Sequence, residues 1–115
     1  MPTNGKIVLS ESGFYLNGKK CSPGTYEVDV GTRCEQVITV RNEGDDGELT
    51  IEVWYKVDDK PWSEWTIGHY YLRRGEKATK KTATTFKSRS AGKTYRFKWI
   101  VRDKETGRVT DEYGC

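Results

Sequence analysis

Apolar and polar residues alternate with a period of two along most of this chain. No stretch of a dozen residues repeats at the 3.6-residue spacing of a helix. The clearest case is ELTIEVWYKV, residues 48 to 57, where Leu49, Ile51, Val53, Tyr55 and Val57 alternate with Thr50, Glu52, Trp54 and Lys56. That pattern predicts a strand with the first set turned to a core. TYRFKWIVRD, 94 to 103, repeats it, with Tyr95, Phe97, Trp99 and Val101 inward and Arg96, Lys98, Ile100 and Arg102 outward. EQVITVRN at 35 to 42, the threonine-rich KATKKTATTF at 77 to 86, TYEVDV at 25 to 30 and RVTDEY near the end read as further strands. KIVLS makes a first short strand, and FYLNGKKC, 14 to 21, reads as a hairpin because Asn17-Gly18 suits a type I′ turn.

Short strands with turn signals about every ten residues indicate an all-β sandwich or barrel. The connection lengths favour an immunoglobulin-like two-sheet β-sandwich of about 7 to 9 strands with an extra N-terminal hairpin. Strands 35 to 42, 48 to 57, 94 to 103 and 107 to 113 fit its B, C, F and G places. At 115 residues the chain holds one domain over 1–115, with a strand-and-hairpin extension over 1–24 and a core over 25–113.

The mean hydropathy of -0.84 alone suggests a weak core, but 4 Trp, 7 Tyr and 3 Phe together with the regular alternation exclude disorder. No run reaches the roughly 20 apolar residues of a membrane span, so no membrane insertion is expected. The first residues lack a signal peptide's basic start and apolar middle. The chain therefore reads as intracellular, as a virion or surface component, or as a mature segment behind a new Met1. Glutamine occurs once and asparagine three times amid abundant charged residues, a balance seen in thermophile proteins.

The net charge of +3 conceals a segregation. Residues 73 to 102 carry eleven Lys/Arg against one Asp/Glu, whereas residues 1 to 72 carry seven against twelve. A basic block of this density suits an acidic partner or a phosphate backbone. A sandwich, however, splits it between two sheets, so that Lys77 and Lys81 face away from Arg96, Lys98 and Arg102. Lys87, Arg89 and Lys93 remain together in one loop as candidate phosphate contacts.

Little else points to catalysis. His69 is the only histidine and Met1 the only methionine, which excludes multi-histidine zinc sites and cupredoxin-like copper. No phosphate-loop motif occurs, and the acidic stretches at 45 to 48 and 58 to 59 lack calcium-ligand spacing. No enzyme activity, metal or cofactor is expected. Three cysteines allow at most one internal bridge. Cys21 and Cys34 form the candidate disulfide, Cys115 the candidate intermolecular thiol, and three reduced thiols are the other reading.

The segments ITVRNEG, IEVWYKVDD, YLRRGEKAT and AGKTYRFKWIVRDKETGRVTDEY resemble the CARDB-type domain, a small immunoglobulin-like or fibronectin-III-like module. The resemblance spans roughly residues 25 to 113 and implies no shared active site. Tyr95 also resembles the tyrosine corner of such sandwiches. In that family the leucine before the Gly-Glu turn, here Leu72, points inward. Counting back by twos puts Tyr70, Gly68 and Thr66 inside and Tyr71, His69, Ile67 and Trp65 outside. Beside Trp54 and Ile100, these residues would give an exposed aromatic sheet face bordered by Arg96, Lys98 and Lys56.

That composition is expected of an interface core. It implies a structural or protein-interaction module that is homo-oligomeric or binds another protein. The alternatives are nucleic-acid binding through the basic segment 73–102 and carbohydrate binding through Trp62 and Trp65. A bulge would swap the two faces.

Overall fold

Strands with one apolar row each must bury that row against another sheet, and the chain does so. The computed structural model describes residues 2–22, 24 and 26–114. Among them are β1 (Gly5–Ile7), β2 (Gly13–Leu16), β3 (Lys19–Cys21), β4 (Arg33–Asn42) and β5 (Gly47–Val57). β6 (Ser63–Leu72), β7 (Lys77–Thr85), β8 (Tyr95–Asp103) and β9 (Val109–Gly114) follow, with single 3-10 turns at Leu9–Glu11 and Ser88–Ser90.

All pairings are antiparallel. In the first sheet β7 runs along β4 from Arg33↔Thr85 to Arg41↔Lys77. The other edge of β4 is shared by β2 and β1, and β3 hairpins onto β2. The second sheet has the order β6-β5-β8-β9. This is the expected two-sheet sandwich, with β5 and β8 in the central C and F places. The hairpin turn is also as expected, with Asn17 at φ 49° and Gly18 at φ 80°.

Ile38 and Val40 from one sheet meet Leu49, Ile51, Val53, Leu72, Trp99 and Val101 from the other. Phe14 of β2 stacks on Trp99 with ring centroids 4.7 Å apart, so the hairpin extension contributes to the core. Gln36 is fully buried and accepts a 2.8 Å bond from Trp99 Nε1. Buried Asn42 accepts from the amides of Asn4 and Gly44 and donates to the carbonyls of Asp45 and Leu72. One side chain thereby ties the turn at 42 to 47 to the end of β6.

The expected strand over 25–30 is corrected. Residues 26 to 30 belong to no sheet, and Tyr26, Val28 and Val30 are exposed. Alternation alone does not make a strand: both edges of β4 are occupied by β7 and by β1 with β2, and the described residues of the segment pair with none of the edges that remain. The segment rejoins the fold where Gly31 N donates to Phe86 O and Phe86 N to Thr32 O.

Candidate functional site

The outer face of the β6-β5-β8-β9 sheet is the surface that the sequence singles out, and the register fixes what stands on it. Ile67, Glu52, Ile100 and Glu112 form one row across the four strands. His69, Thr50 and Arg102 form the next row. On the other side of the first row stand Glu64, Trp54 and Lys98, followed by Lys56 directly opposite Arg96.

Two positions differ from expectation. The β5–β6 register slips between Val53 and Trp54, because Val53 faces Thr66 while Trp54 faces Glu64. Trp65 is the extra residue of this β-bulge and turns inward, 5.9 Å from the Phe97 ring and packed against the core. It therefore leaves the outer face, and Trp62 and Trp65 do not form a shared platform. Ile100 does lie on the outer face, but between Glu52 and Glu112 it is 7% exposed and offers almost nothing to a partner.

The centre of the face is sealed by a polar network. Glu52 is only 3% exposed. It accepts bonds from Arg102 Nε at 2.9 Å, Thr50 Oγ1 at 2.9 Å and Trp54 Nε1 at 3.0 Å. Burial pushes its carboxyl up, but the bonds from Arg102, Thr50 and Trp54 together outweigh that and hold it below the ordinary value. Chemically this group is a satisfied ion pair.

What remains accessible lies at the borders. Along β6, Ile67 is 36% and Tyr71 67% exposed. At the opposite end of β5 and β8, half-buried Trp54 and Trp62 flank Lys98, whose Nζ sits 4.4 Å from the Trp62 ring centroid. Lys56 and Arg96, directly opposed like charges, stand next to them. Lys87, Arg89 and Lys93 are exposed in the β7–β8 loop. That loop is tied to the end of β5 by mutual bonds between Asp58 and Thr94. The loop cations and the Arg96 border therefore share one end of the sandwich, whereas Lys77 and Lys81 lie on the other sheet.

His69 is exposed, with Nδ1 4.0 Å from Glu48 Oε1, which Lys104 also contacts. Tyr95 donates to or accepts from the Ser90 hydroxyl at 2.8 Å rather than from a backbone group as in a tyrosine corner. The Cys21–Cys34 bridge is excluded by topology. β2 lies between the two strands that carry them, and Cys21 stands opposite Phe14 whereas Cys34 stands opposite Leu16, so their Cα atoms are about 11 to 12 Å apart against the roughly 4.4 to 6.8 Å a disulfide spans. Cys115 lies outside the described residues.

A cleft of about 370 Å³ opens between the hairpin and β9, walled by Phe14, Trp99 and Tyr113 with Cys21 at its side. Its one buried hydroxyl, Ser12 Oγ, is already engaged with Val8 O and the Thr39 amide. Among the described residues there is no group of three or more His, Cys, Asp or Glu side chains placed to hold a metal ion, and no helix is long and apolar enough to cross a membrane.

No protein-family model and no curated protein matches the chain. Solved structures do. A Bacteroides uniformis beta-glucuronidase aligns over 96% of this chain with a TM-score of 0.69 and 13% identity. A Listeria innocua beta-glucosidase, solved with glucose, aligns over 90% with a TM-score of 0.51 and 21% identity. The chain spans 14% and 16% of those proteins. A Bordetella pertussis protein provisionally named ApaA aligns over 98% of this chain and 93% of its own length, with a TM-score of 0.52 and 12% identity. At these identities the likeness is one of fold. The same sandwich occurs as a small segment of large glycosidases and as nearly the whole of a small protein.

Proposed function

We propose that this chain is a non-catalytic interaction module that self-associates through β6 and the outer sheet face beside it. The observation that carries this reading is the exposure of Ile67 and Tyr71, two large apolar side chains on one edge strand, beside a sheet centre already sealed by Glu52 and Arg102. Leaving such groups in water forgoes roughly 25 cal/mol per Å² of apolar burial, so the exposure is best explained by a partner. Light scattering tests it. The wild type is expected above the 13.2 kDa monomer mass and the Ile67→Glu/Tyr71→Glu variant at it. A wild-type monomer at millimolar concentration would overturn the reading.

A second reading rests on the other border. Trp54 and Trp62 around Lys98, with Lys56 and Arg96 adjacent, make a stacking platform set among cations. Such a platform suits a glycan or a single nucleic-acid strand. The fold's occurrence as a segment of a beta-glucuronidase and a beta-glucosidase favours the glycan. Tryptophan fluorescence titration with neutral and uronic-acid oligosaccharides, against a single-stranded oligonucleotide, separates the two. Nucleic-acid binding falls steeply with salt and weakens when Lys87, Arg89 and Lys93 are neutralised. No change in any titration removes both.

A further inference from the structure

Every open sheet carries edges, and an unguarded edge is a template for another strand. In this molecule the edges differ. β9 is covered by β1: Ile7 N donates to Asp111 Oδ2, Thr110 Oγ1 to Gly5 O and Lys6 Nζ to Thr110 O. β3 is three residues long and carries Lys19 and Lys20. β7 carries Lys77, Lys80 and Lys81. Lys80 is turned toward the interior side, because its cross-strand partner is fully buried Ile38. Short length, lysines and inward charges are the devices that keep edges from pairing.

β6 has none of these over Thr66 to Leu72, and its bulge at Trp65 protects only the far end of the strand. Over the ten residues SEWTIGHYYL it contains no lysine, arginine or proline, and its one acid, Glu64, lies beyond the bulge at Trp65. The stretch from Thr66 to Leu72 is regular, holds no Lys, Arg, Asp or Glu, and is free along its outer edge among the described residues.

We infer that two copies of this chain join β6 to β6 in antiparallel fashion, merging their four-stranded sheets into one continuous eight-stranded sheet. This rests on the self-association proposed above and specifies its geometry. The register follows from the strand itself. Side chains directly opposite in an antiparallel pair share a face, and a two-fold axis normal to the sheet keeps the outer face outer. Centring the pair on His69 sets Ile67 against Tyr71 of the second copy and Tyr71 against its Ile67. The strand's two exposed apolar side chains are thereby covered, each by the other. The same register puts Gly68 opposite Tyr70 on the inner face and leaves the bulge outside the paired region. The charges agree as well. Three lysines would repel their own copies along β7, and nothing comparable stands on β6 between residues 66 and 72.

The geometry predicts a cross-link. Opposed Cα atoms in an antiparallel pair lie about 4.5 to 5.5 Å apart, within disulfide reach. In a Cys21→Ser/Cys115→Ser background, His69→Cys is expected to form a covalent dimer under mild oxidation, and Thr79→Cys, exposed on the other sheet, to form no covalent dimer. Ile67→Lys places a guard on the edge and is expected to weaken dimerisation at least ten-fold in sedimentation equilibrium, with circular dichroism confirming the fold. Dimer mass without a His69→Cys cross-link would overturn the edge geometry and leave the self-association reading standing. A monomer at every concentration would overturn both.

Discussion

The two long sides of this sandwich are finished in opposite ways. On one side β1 is laced to β8 and β9 by side-chain bonds. Thr3 donates both its amide and its hydroxyl to Asp103, the Ile7 amide finds Asp111, and Thr110 reaches Gly5 O. On the other side β6 and β7 come close, but no backbone pairing between them occurs among the described residues. There one edge holds lysines and the other holds Ile67 and Tyr71. The first side spends its polar groups on intramolecular closure. The second keeps one edge guarded and one available, which is where a partner strand fits.

The contrast breaks most severely at Asp103. Its carboxylate is 2% exposed and accepts two bonds from Thr3 and two from Thr106, at 2.6 to 3.1 Å. Asp103→Ala orphans these donors and should destabilise the fold by about 3 kcal/mol, read as a fall in denaturation midpoint. A null result would mean that β1 is not held by this group. The pH dependence follows from the same bonds. Burial pushes the Asp103 carboxyl up, but the bonds from Thr3 and Thr106 outweigh it and lower the pKa from 3.8 to about 2. A carboxylate with a depressed native pKa contributes stability that is fully present above its unfolded value and lost as pH falls through the native one. About 2 kcal/mol should therefore disappear between roughly pH 4 and pH 2. The loss should be absent in Asp103→Asn, whose stability should be lower already at neutral pH.

A smaller break is available within the laced side. Asp111→Ala removes the acceptor for the Ile7 amide and should cost about 1 kcal/mol. Faster hydrogen exchange at Ile7, with the amides of β6 unchanged, would locate the effect on this side. Equal acceleration on β6 would show that the two sides open together and are not independent.

Much of the fold, though not this asymmetry, was legible in the chain. Alternation over 48 to 57 and 94 to 103 assigned Leu49, Ile51, Val53, Trp99 and Val101 to the core, and all are buried. The Asn17-Gly18 turn followed from its own dihedral requirements. Trp65 did not follow, because a bulge depends on which residue of the partner strand is skipped, and that is a property of the pair β5–β6 rather than of either strand. Val28 and Val30 failed for a related reason, since alternation within one segment does not say whether any edge will pair with it. Ile100 shows a third limit. Its outward direction was readable, but its burial depends on the neighbouring rows, including a Glu52–Arg102 pair brought together from 50 residues apart. At the candidate site, direction was therefore readable except at the bulged Trp65, and exposure was not.

The smallest effect on stability, and the most direct on the comparison, is expected at Lys80. Its side chain, rooted on the inner side of β7, contributes little to the fold, since it makes no ion pair among the described residues and stands half-exposed at the margin of the core. Lys80→Val should change stability by less than about 0.5 kcal/mol, because a β-branched side chain suits the position beside Ile38 and offsets the lost aliphatic stem. Association should change far more. Without the charge that must be buried when another strand docks, β7 would become a second available edge, and light scattering should show species larger than those of the wild type. Lys80→Glu, which keeps a charge at the same place, should not. If Lys80→Val behaves as the wild type, Lys80 is not what closes the β7 edge. The guarding of β7 would then fall to Lys77 and Lys81, which repel a second copy along the same strand.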